Sequence, residues 1–578
     1  MSISPLLRRM AAAGVGALLI GTLGATTAQA GGKHDHPRPP APKPVDVRVI
    51  GFNDLHGNLQ PPTGSSGRVV IDAAGKTVDA GGAAYLATHI KQLKSEVKNS
   101  FVVSAGDSIG ASPLESALFH DEPTIDALNA MGVKAMAVGN HEFDEGYKEL
   151  LRMQLGGCHP DDGCVFDNPF RGAKFPILGA NVTLAKNNRP ALLPFTVIRS
   201  GGVNIGVIGI TLEGVPDVVV PTAIKGLKFG DEVKAIDKTS NLLQRLGIKS
   251  QIVLMHQGDN TSFPALPNSC SIVPGGPAAA IAAAATPRVD AFFVGHSHQP
   301  YNCVVQDPAG NPRPVIQSAS FGRLVSSVDL KIDPRTHDVI RKDTVALNHI
   351  VTRDVTPDPT VQAIVDKAVT LSAPLANRQV GTITADITRA PSPAGEQPLG
   401  DVIADAQLAA TTQNGAQIAI TNPGGIRADL TYAGSTAGEG DGVVTYGEAF
   451  KVQPFSNIMQ TITLTGAQLK AVLEQQWHAD GTATMLQISS SLTYSWSEAA
   501  PTGSKVSGLR VSGVPVDPAA TYRVSVNNFL AAGGDGFTVF AQGTDLTGGP
   551  IDLDAFTQYL TANSNLAPPA PGRITKLP

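Results

Sequence analysis

The sequence predicts an α/β protein of two layered domains joined by one helix. Three observations carry this reading. From 46 to 345, short β-branched runs alternate with helix-like stretches, and a second alternation of the same kind fills 380–575. Between them, 357–378 opens on Pro-Asp-Pro and then places Val361, Ile364, Val365 and Ala368 at helical spacing. The 578 residues are 42% hydrophobic and 16% charged, enough apolar material for packed cores. The 60 Gly and 43 Pro make the chain rich in loops. A formal charge of −5 supplies no bulk positive field for gripping nucleic acid.

Taken in order, the N-terminus reads as an address. Arg8 and Arg9 precede an apolar run over 11–23, and Ala28-Gln29-Ala30 has the small residues a signal peptidase cuts after. Residues 1–30 are therefore expected to be a cleaved signal peptide, placing the protein outside the cell, in a periplasm or on the cell surface. The apolar run is too short for a membrane span, and no later stretch is long enough, so no stable membrane insertion is expected. Residues 31–45 are Pro-rich and polar, as in a disordered linker. In an oxidising compartment the four cysteines can pair in three ways. The turn-forming stretch between Cys158 and Cys164 favours Cys158–Cys164 and Cys270–Cys303.

The expected strands of the first half are 47–52, 101–104, 135–138, 204–210, 252–255, 291–294 and 315–317, with a helix over 83–98 among the stretches between them. In the second half, helices are expected near 399–412 and 466–477 and a strand at 418–421. Five of the first-half strands run into polar residues: Asn53-Asp54-Leu55-His56, Gly106-Asp107, Gly139-Asn140-His141-Glu142-Phe143-Asp144, His256, and Gly295-His296-Ser297-His298. In open α/β sheets the carboxyl edge of the strands is where ligands bind. Each motif alone is an ordinary loop. Five at one edge would bury several unpaired polar groups, at several kcal/mol each. Imidazole, carboxylate and amide oxygens without thiolate form a donor set for Zn, Mn, Fe or Co.

This series resembles the calcineurin-like metallophosphoesterase signature. Three later segments narrow the resemblance to the 5'-nucleotidase family: Asn422-Pro-Gly-Gly425-Ile-Arg427, Pro454-Phe455-Ser456-Asn457, and Asn528-Phe529 through Gly533-Gly534-Asp535-Gly536. The resemblance implies an N-terminal four-layer-type α/β metallophosphoesterase sandwich (46–345), a linker helix (355–379) and a C-terminal α/β substrate-binding domain (380–575). It implies two divalent ions, Zn, Mn or similar. One would be held by Asp54, His56, Asp107 and His298; the other by Asp107, Asn140, His256 and His296. It implies a catalytic dyad of His141 and Asp144, and a nucleotide pocket of Arg389, Asn422, Gly425, Arg427, Phe455, Asn457, Phe529 and Asp535.

The chemistry suits phosphate esters. A phosphate monoester is an anion that repels hydroxide, and two nearby cations neutralise it and acidify a water. The glycines allow a close backbone approach, Arg427 offers a bidentate anion fork, and aromatic rings stack on a base with little selectivity. The expected function is an exported dinuclear-metal phosphohydrolase acting on nucleoside 5'-monophosphates. UDP-sugars, nucleoside di- or triphosphates and 2',3'-cyclic nucleotides are alternatives on the same scaffold; a non-catalytic surface protein is the alternative of another class.

Overall fold

The structure is a computed structural model that describes residues 42–578 except 220, 263–264, 434–437, 456 and 479–480. The expected signal peptide, the 31–41 portion of the expected linker, and Ser456 lie outside the described residues.

The first domain is built on two six-stranded sheets. In one, Val45–Phe52 pairs in parallel with Ser100–Ser104, which continues in parallel through Val133–Ala137 to Ile177–Leu178. On its other side Val45–Phe52 pairs antiparallel with Leu324–Ile332, and that with Val345–Ile350. In the second sheet Val203–Thr211, Ser250–His256, Ala291–Val294 and Pro312–Ser318 are parallel neighbours. Phe195–Ser200 and Pro300–Gln306 close its edges in antiparallel fashion.

Strand periodicity explains the layering. Val47 and Val49 point into a core shared between the sheets with Ile252, Leu254 and Phe293, while Ile50 and Phe52 point the other way, towards helices. At Gly51 the sheets approach so closely that a Cβ would stand 2.3 Å from the Phe293 ring. Ala83–Glu96, Glu122–Met131 and Tyr147–Leu155 cover the outer face of the first sheet. Glu232–Arg245 and Pro277–Ala284 cover that of the second. The result is a four-layer α/β/β/α sandwich.

Pro359–Ala376 is the helix between the two halves. The Asp358 carboxylate caps it by accepting from the N–H groups of Thr360 and Val361 at 3.0 and 3.1 Å. Its apolar face, Val361, Val365 and Ala368, packs into the outer helical layer of the first domain beside Leu86 and Leu128.

The C-terminal half has a five-stranded mixed sheet in the order Gln487–Ile488, Ile418–Thr421, Thr521–Asn527, Ile458–Thr465, Thr544–Ile551. Pro398–Thr411 and Asp552–Ala562 pack on one side and Gly466–Glu474 on the other. Disulfides join Cys158 to Cys164 and Cys270 to Cys303. Among the described residues no helix is long and apolar enough to cross a membrane. Several strands exceed their expected length. Ser250–His256 includes His256 as its last residue, and Leu324–Ile332, whose Ser326, Ser327 and Asp329 interrupt any apolar run, was not expected at all.

Candidate active site

The parallel strands deliver their polar residues to one edge. Asp54 and His56 follow Val45–Phe52, Asp107 follows Ser100–Ser104, Asn140 follows Val133–Ala137, and His296 and His298 follow Ala291–Val294. The loops turn unusually tightly. Asp54, His56, Asp107, His296 and His298 all have positive φ, between 46° and 75°. For residues other than glycine this costs of order 1–3 kcal/mol each and persists only where the surroundings impose it. The first two loops are zipped together by Asp54 N–H to Gly106 O at 2.9 Å and His56 N–H to Asp107 O at 3.0 Å. At Gly139 a Cβ would lie 2.1 Å from Asp107 Oδ1, so the third loop reaches the second only because no side chain intervenes.

The ligand-type atoms converge in three overlapping groups whose members lie within 4.8 Å of one another: Asp54, His56 and His298; Asp107, His256 and His296; and His56, Asp107 and His141. Asp107 Oδ2 stands between the groups, 2.9 Å from His256 Nε2 and 3.7 Å from His56 Nε2. His296 Nδ1 is 3.0 Å from Asn140 Oδ1, and His298 Nε2 is 3.3 Å from Asp54 Oδ1. All seven expected ligands are thus brought together.

The tautomers point to cations. His56 Nδ1 donates to Gly110 O at 2.9 Å and His256 Nδ1 to Ala105 O at 2.8 Å. A carbonyl oxygen can only accept, so each ring spends an N–H there and a neutral ring turns a bare Nε2 inward. Buried His256 Nε2 has no well-formed hydrogen bond, although a carboxylate oxygen is 2.9 Å away. Facing lone pairs at that distance repel unless a positive charge lies between them. Burial pushes His56 well below the usual imidazole range, and His296 to about 4. Burial also disfavours the imidazolium of His256, but Asp107 outweighs it and raises the group to about 10. Proton and metal compete for that one lone pair. The donor set fits two divalent ions, and these buried His/Asp clusters are consistent with a dinuclear centre.

A cavity of about 810 Å³ opens from this edge. Asp107, Asn140, His296 and His298 line it, with Asp54, His56 and His256 buried behind them. His141 and Asp144 also line it, joined by a 2.8 Å contact between Nδ1 and Oδ2. Burial lowers the His141 imidazole, but Asp144 and Asp107 outweigh it, and the net direction is up.

The opposite wall belongs to the C-terminal half. Phe455 stacks on His141 with centroids 5.6 Å apart and planes 23° apart, and the Arg427 guanidinium lies 5.7 Å from the Phe455 centroid. Arg427 Nη2 is buried without a partner. Phe529 lies flat over Gly534, where a Cβ would meet its ring at 2.4 Å. Asp535, at φ 55°, accepts from Asn422 Nδ2 at 2.7 Å; burial pushes its carboxyl up. Gly425 and Asn457 line the same cavity, and Asn457 donates to Asp552 at 3.1 Å. Arg389 does not line it. Its guanidinium is held by Asp429 Oδ1 at 3.3 Å, Ile426 O at 3.2 Å and Ser66 Oγ at 3.1 Å, in a second groove of about 350 Å³ with Arg68, Arg323 and His298.

Glu142 had no role assigned from sequence. Its buried carboxylate accepts the backbone N–H groups of Asp107 (3.0 Å), Ser108 (2.8 Å) and Gly139 (2.5 Å), locking two ligand-bearing loops together. The signal for it lay in the loops themselves: tight turns leave buried N–H groups that require an acceptor.

A family model described as "Calcineurin-like phosphoesterase" matches residues 47–300, and one described as "5'-nucleotidase, C-terminal domain" matches 379–542. The chain is 31% identical over 521 residues to endonuclease YhcR of Bacillus subtilis, covering 89% of this chain and 40% of that protein. It is 32% identical over 545 residues to cell wall protein Lmo0130 of Listeria monocytogenes, covering 89% of this chain and 67% of that one. The fold is similar to the crystal structure of a 5'-nucleotidase precursor from Thermus thermophilus. That match has a TM-score of 0.74 and 26% identity, and covers 92% of this chain and 99% of the other.

Proposed function

The chain belongs to the 5'-nucleotidase family, and within it we propose an exported phosphohydrolase that releases phosphate from nucleoside 5'-monophosphates. One observation carries the reading. A single cavity joins the His/Asp clusters, the unpaired Arg427 nitrogen and two aromatic rings from the other half of the chain. A phosphate, its negative charge and a base each find a matching surface there.

Two divalent ions, bound by Asp54, His56, Asp107 and His298 and by Asp107, Asn140, His256 and His296, would offset phosphoryl charge and make a water acidic enough to attack near neutral pH. Arg427 brings its free nitrogen to the phosphoryl oxygens. His141, oriented by Asp144 at Nδ1, offers Nε2 to the charge that develops on phosphoryl or leaving oxygens. Phe455 and Phe529 hold the base, and Asn457 and Asp535 provide polar contacts to base and ribose. The Ser108 hydroxyl is engaged with Ser104 at 2.8 Å, which fits attack by water with no phosphorylated side chain. Two disulfides and the likeness to a cell wall protein support a location outside the cytoplasm.

The test is turnover by the Zn- or Mn-loaded protein of AMP, UMP, ADP, ATP, UDP-glucose and 2',3'-cyclic AMP, read as phosphate release for the first four and as nucleoside monophosphate formed for the last two, with monophosphates expected to turn over fastest. No turnover of any of them, nor of a dinucleotide, would reject the enzyme in favour of a binding protein. A second reading, phosphodiester cleavage, is favoured by the arginine-lined groove that meets the main cavity at His298. A neighbouring phosphate of a longer substrate fits there, and one relative is named an endonuclease. Faster cleavage of a dinucleotide than of AMP would select it.

A further inference from the structure

We propose that His120, carried as an imidazolium, is a positioning residue that clasps the His141/Asp144 turn from the rim of the cavity. The proposal rests on the reading of His141 and Asp144 as the catalytic dyad. His120 sits in the turn before Glu122–Met131, and Glu145 directly follows Asp144. His159 and Asp162 lie on the short loop closed by Cys158–Cys164. Three separate segments therefore meet around one ring, and His120, Glu145 and Asp162 all line the cavity.

The contacts require a positive charge. His120 Nδ1 is 2.7 Å from Glu145 Oε2, and its Nε2 is 2.9 Å from Asp162 Oδ2. A neutral imidazole has one N–H, whereas an imidazolium donates from both nitrogens. Among the described residues no Lys or Arg forms an ion pair with Glu145 or Asp162, so His120 serves as the cation for both. The His159 ring stacks on it, with centroids 3.9 Å apart and planes 11° apart. His159 Nδ1 accepts the backbone N–H groups of Asp161 and Asp162 at 3.4 and 3.2 Å, so the stack holds one charged ring and one neutral ring. Of the other charged neighbours, Glu149 is engaged by Arg152 at 2.7 Å, and Asp121 by the Ser116 hydroxyl at 2.6 Å. The bond to Glu145 raises His120 from an ordinary 6.5 to about 9, against the opposing effect of burial. The imidazolium is thus the form present at neutral pH, and it is lost as pH rises through about 9.

His120 and Asp121 reach the dyad by two routes. Asp121 accepts the Gly110 N–H at 2.9 Å. Gly110 backs the dyad so closely that a Cβ there would stand 2.2 Å from His141 O and 2.9 Å from Asp144 Oδ2. His120 holds the same turn through Glu145. Both residues have positive φ, 52° and 60°, which residues other than glycine keep only where the surroundings impose it. With its proton gone, His120 can hold one carboxylate and not two, and the dyad turn loses its tie to the disulfide loop.

The experiment compares the metal-loaded full chain with His120→Gln. It measures kcat and KM on the fastest nucleotide substrate at pH 7 and pH 10, and bound metal per chain. Equal metal content shows that the variant folds. At pH 7 the parent is expected to be about tenfold faster; at pH 10, where its own clasp has lost the proton, the ratio is expected to shrink to about twofold. Ionisations common to both proteins cancel in that ratio. If His120→Gln loses its metal, Glu145→Gln, on the exposed side of the clasp, takes its place with the same expected ratios. A ratio near one at pH 7, a ratio equal at both pH values, or a change in KM without a change in kcat overturns the proposal. Asp144→Asn separates the two readings. Parent kcat in that variant, or no turnover by the parent at all, rejects the dyad and the clasp with it; a crippled Asp144→Asn beside a parent-like His120→Gln rejects the clasp alone.

Discussion

Replacing Gly139 with alanine tests whether the approach of two loops holds the proposed metal ligand Asp107 in place. The added Cβ would stand 2.1 Å from Asp107 Oδ1, 2.8 Å from Asp107 N and 2.9 Å from its Cγ. Heavy atoms settle at about 3.5 Å, so carboxylate and loop must separate by roughly 1 Å. Metal–ligand distances tolerate only about 0.2 Å, so a carboxylate displaced that far could not serve both ions of the proposed centre. A misplacement of about 1 Å costs on the order of 100-fold in rate, which corresponds to about 2.7 kcal/mol. Overpacking adds about 1–3 kcal/mol of destabilisation, so activity is measured well below the melting temperature. Gly548→Ala is the control, because a Cβ there meets nothing within 4 Å. The assay pairs bound metal per chain with kcat on AMP. If Gly139→Ala keeps both ions and a kcat within about threefold of the parent while Gly548→Ala behaves identically, loop approach does not position Asp107 and the reasoning fails.

Phe529→Ala removes a ring whose back is supported by Gly534. Base stacking is worth about 1–3 kcal/mol, so KM for AMP should rise about 5- to 150-fold while hydrolysis of glycerol phosphate stays within about twofold. Equal losses on both substrates would remove Phe529 from base binding. Asp401 gives a pH signature. Burial raises its carboxyl to about 8 from an ordinary 3.8, Glu396 adding to the effect and Arg573 opposing it. The folded chain therefore holds the extra proton. The stabilisation this confers is full below about pH 4 and lost as pH rises through about 8. Asp401→Asn keeps a neutral group at that site and should flatten the fall in Tm between pH 4 and 9; an unchanged slope would refute it.

The convergence of the strand-end Asp, Asn and His residues was legible because a parallel sheet places every carboxyl end on one edge, so that a polar residue just beyond an apolar run has one place to go. Gly424 and Gly425 of the expected second-half motif do reach the same cavity. Other features needed the folded chain. Arg389 was expected in the nucleotide pocket, yet Asp429 and Ser66, distant in sequence, draw it into the second groove. Leu324–Ile332 is a central strand whose polar residues hide it, because its pairing partners rather than its own pattern make it one.

What the linear chain determined by itself was the donor set and the shared edge, because both follow from local periodicity and residue chemistry. Tertiary structure alone decided which imidazole nitrogen faces inward, how far Glu142 reaches and which histidines meet at the cavity rim. Those outcomes depend on distances between segments that have no relation along the chain. They are set by the packing of two sheets and by backbone turns held at positive φ against their own preference.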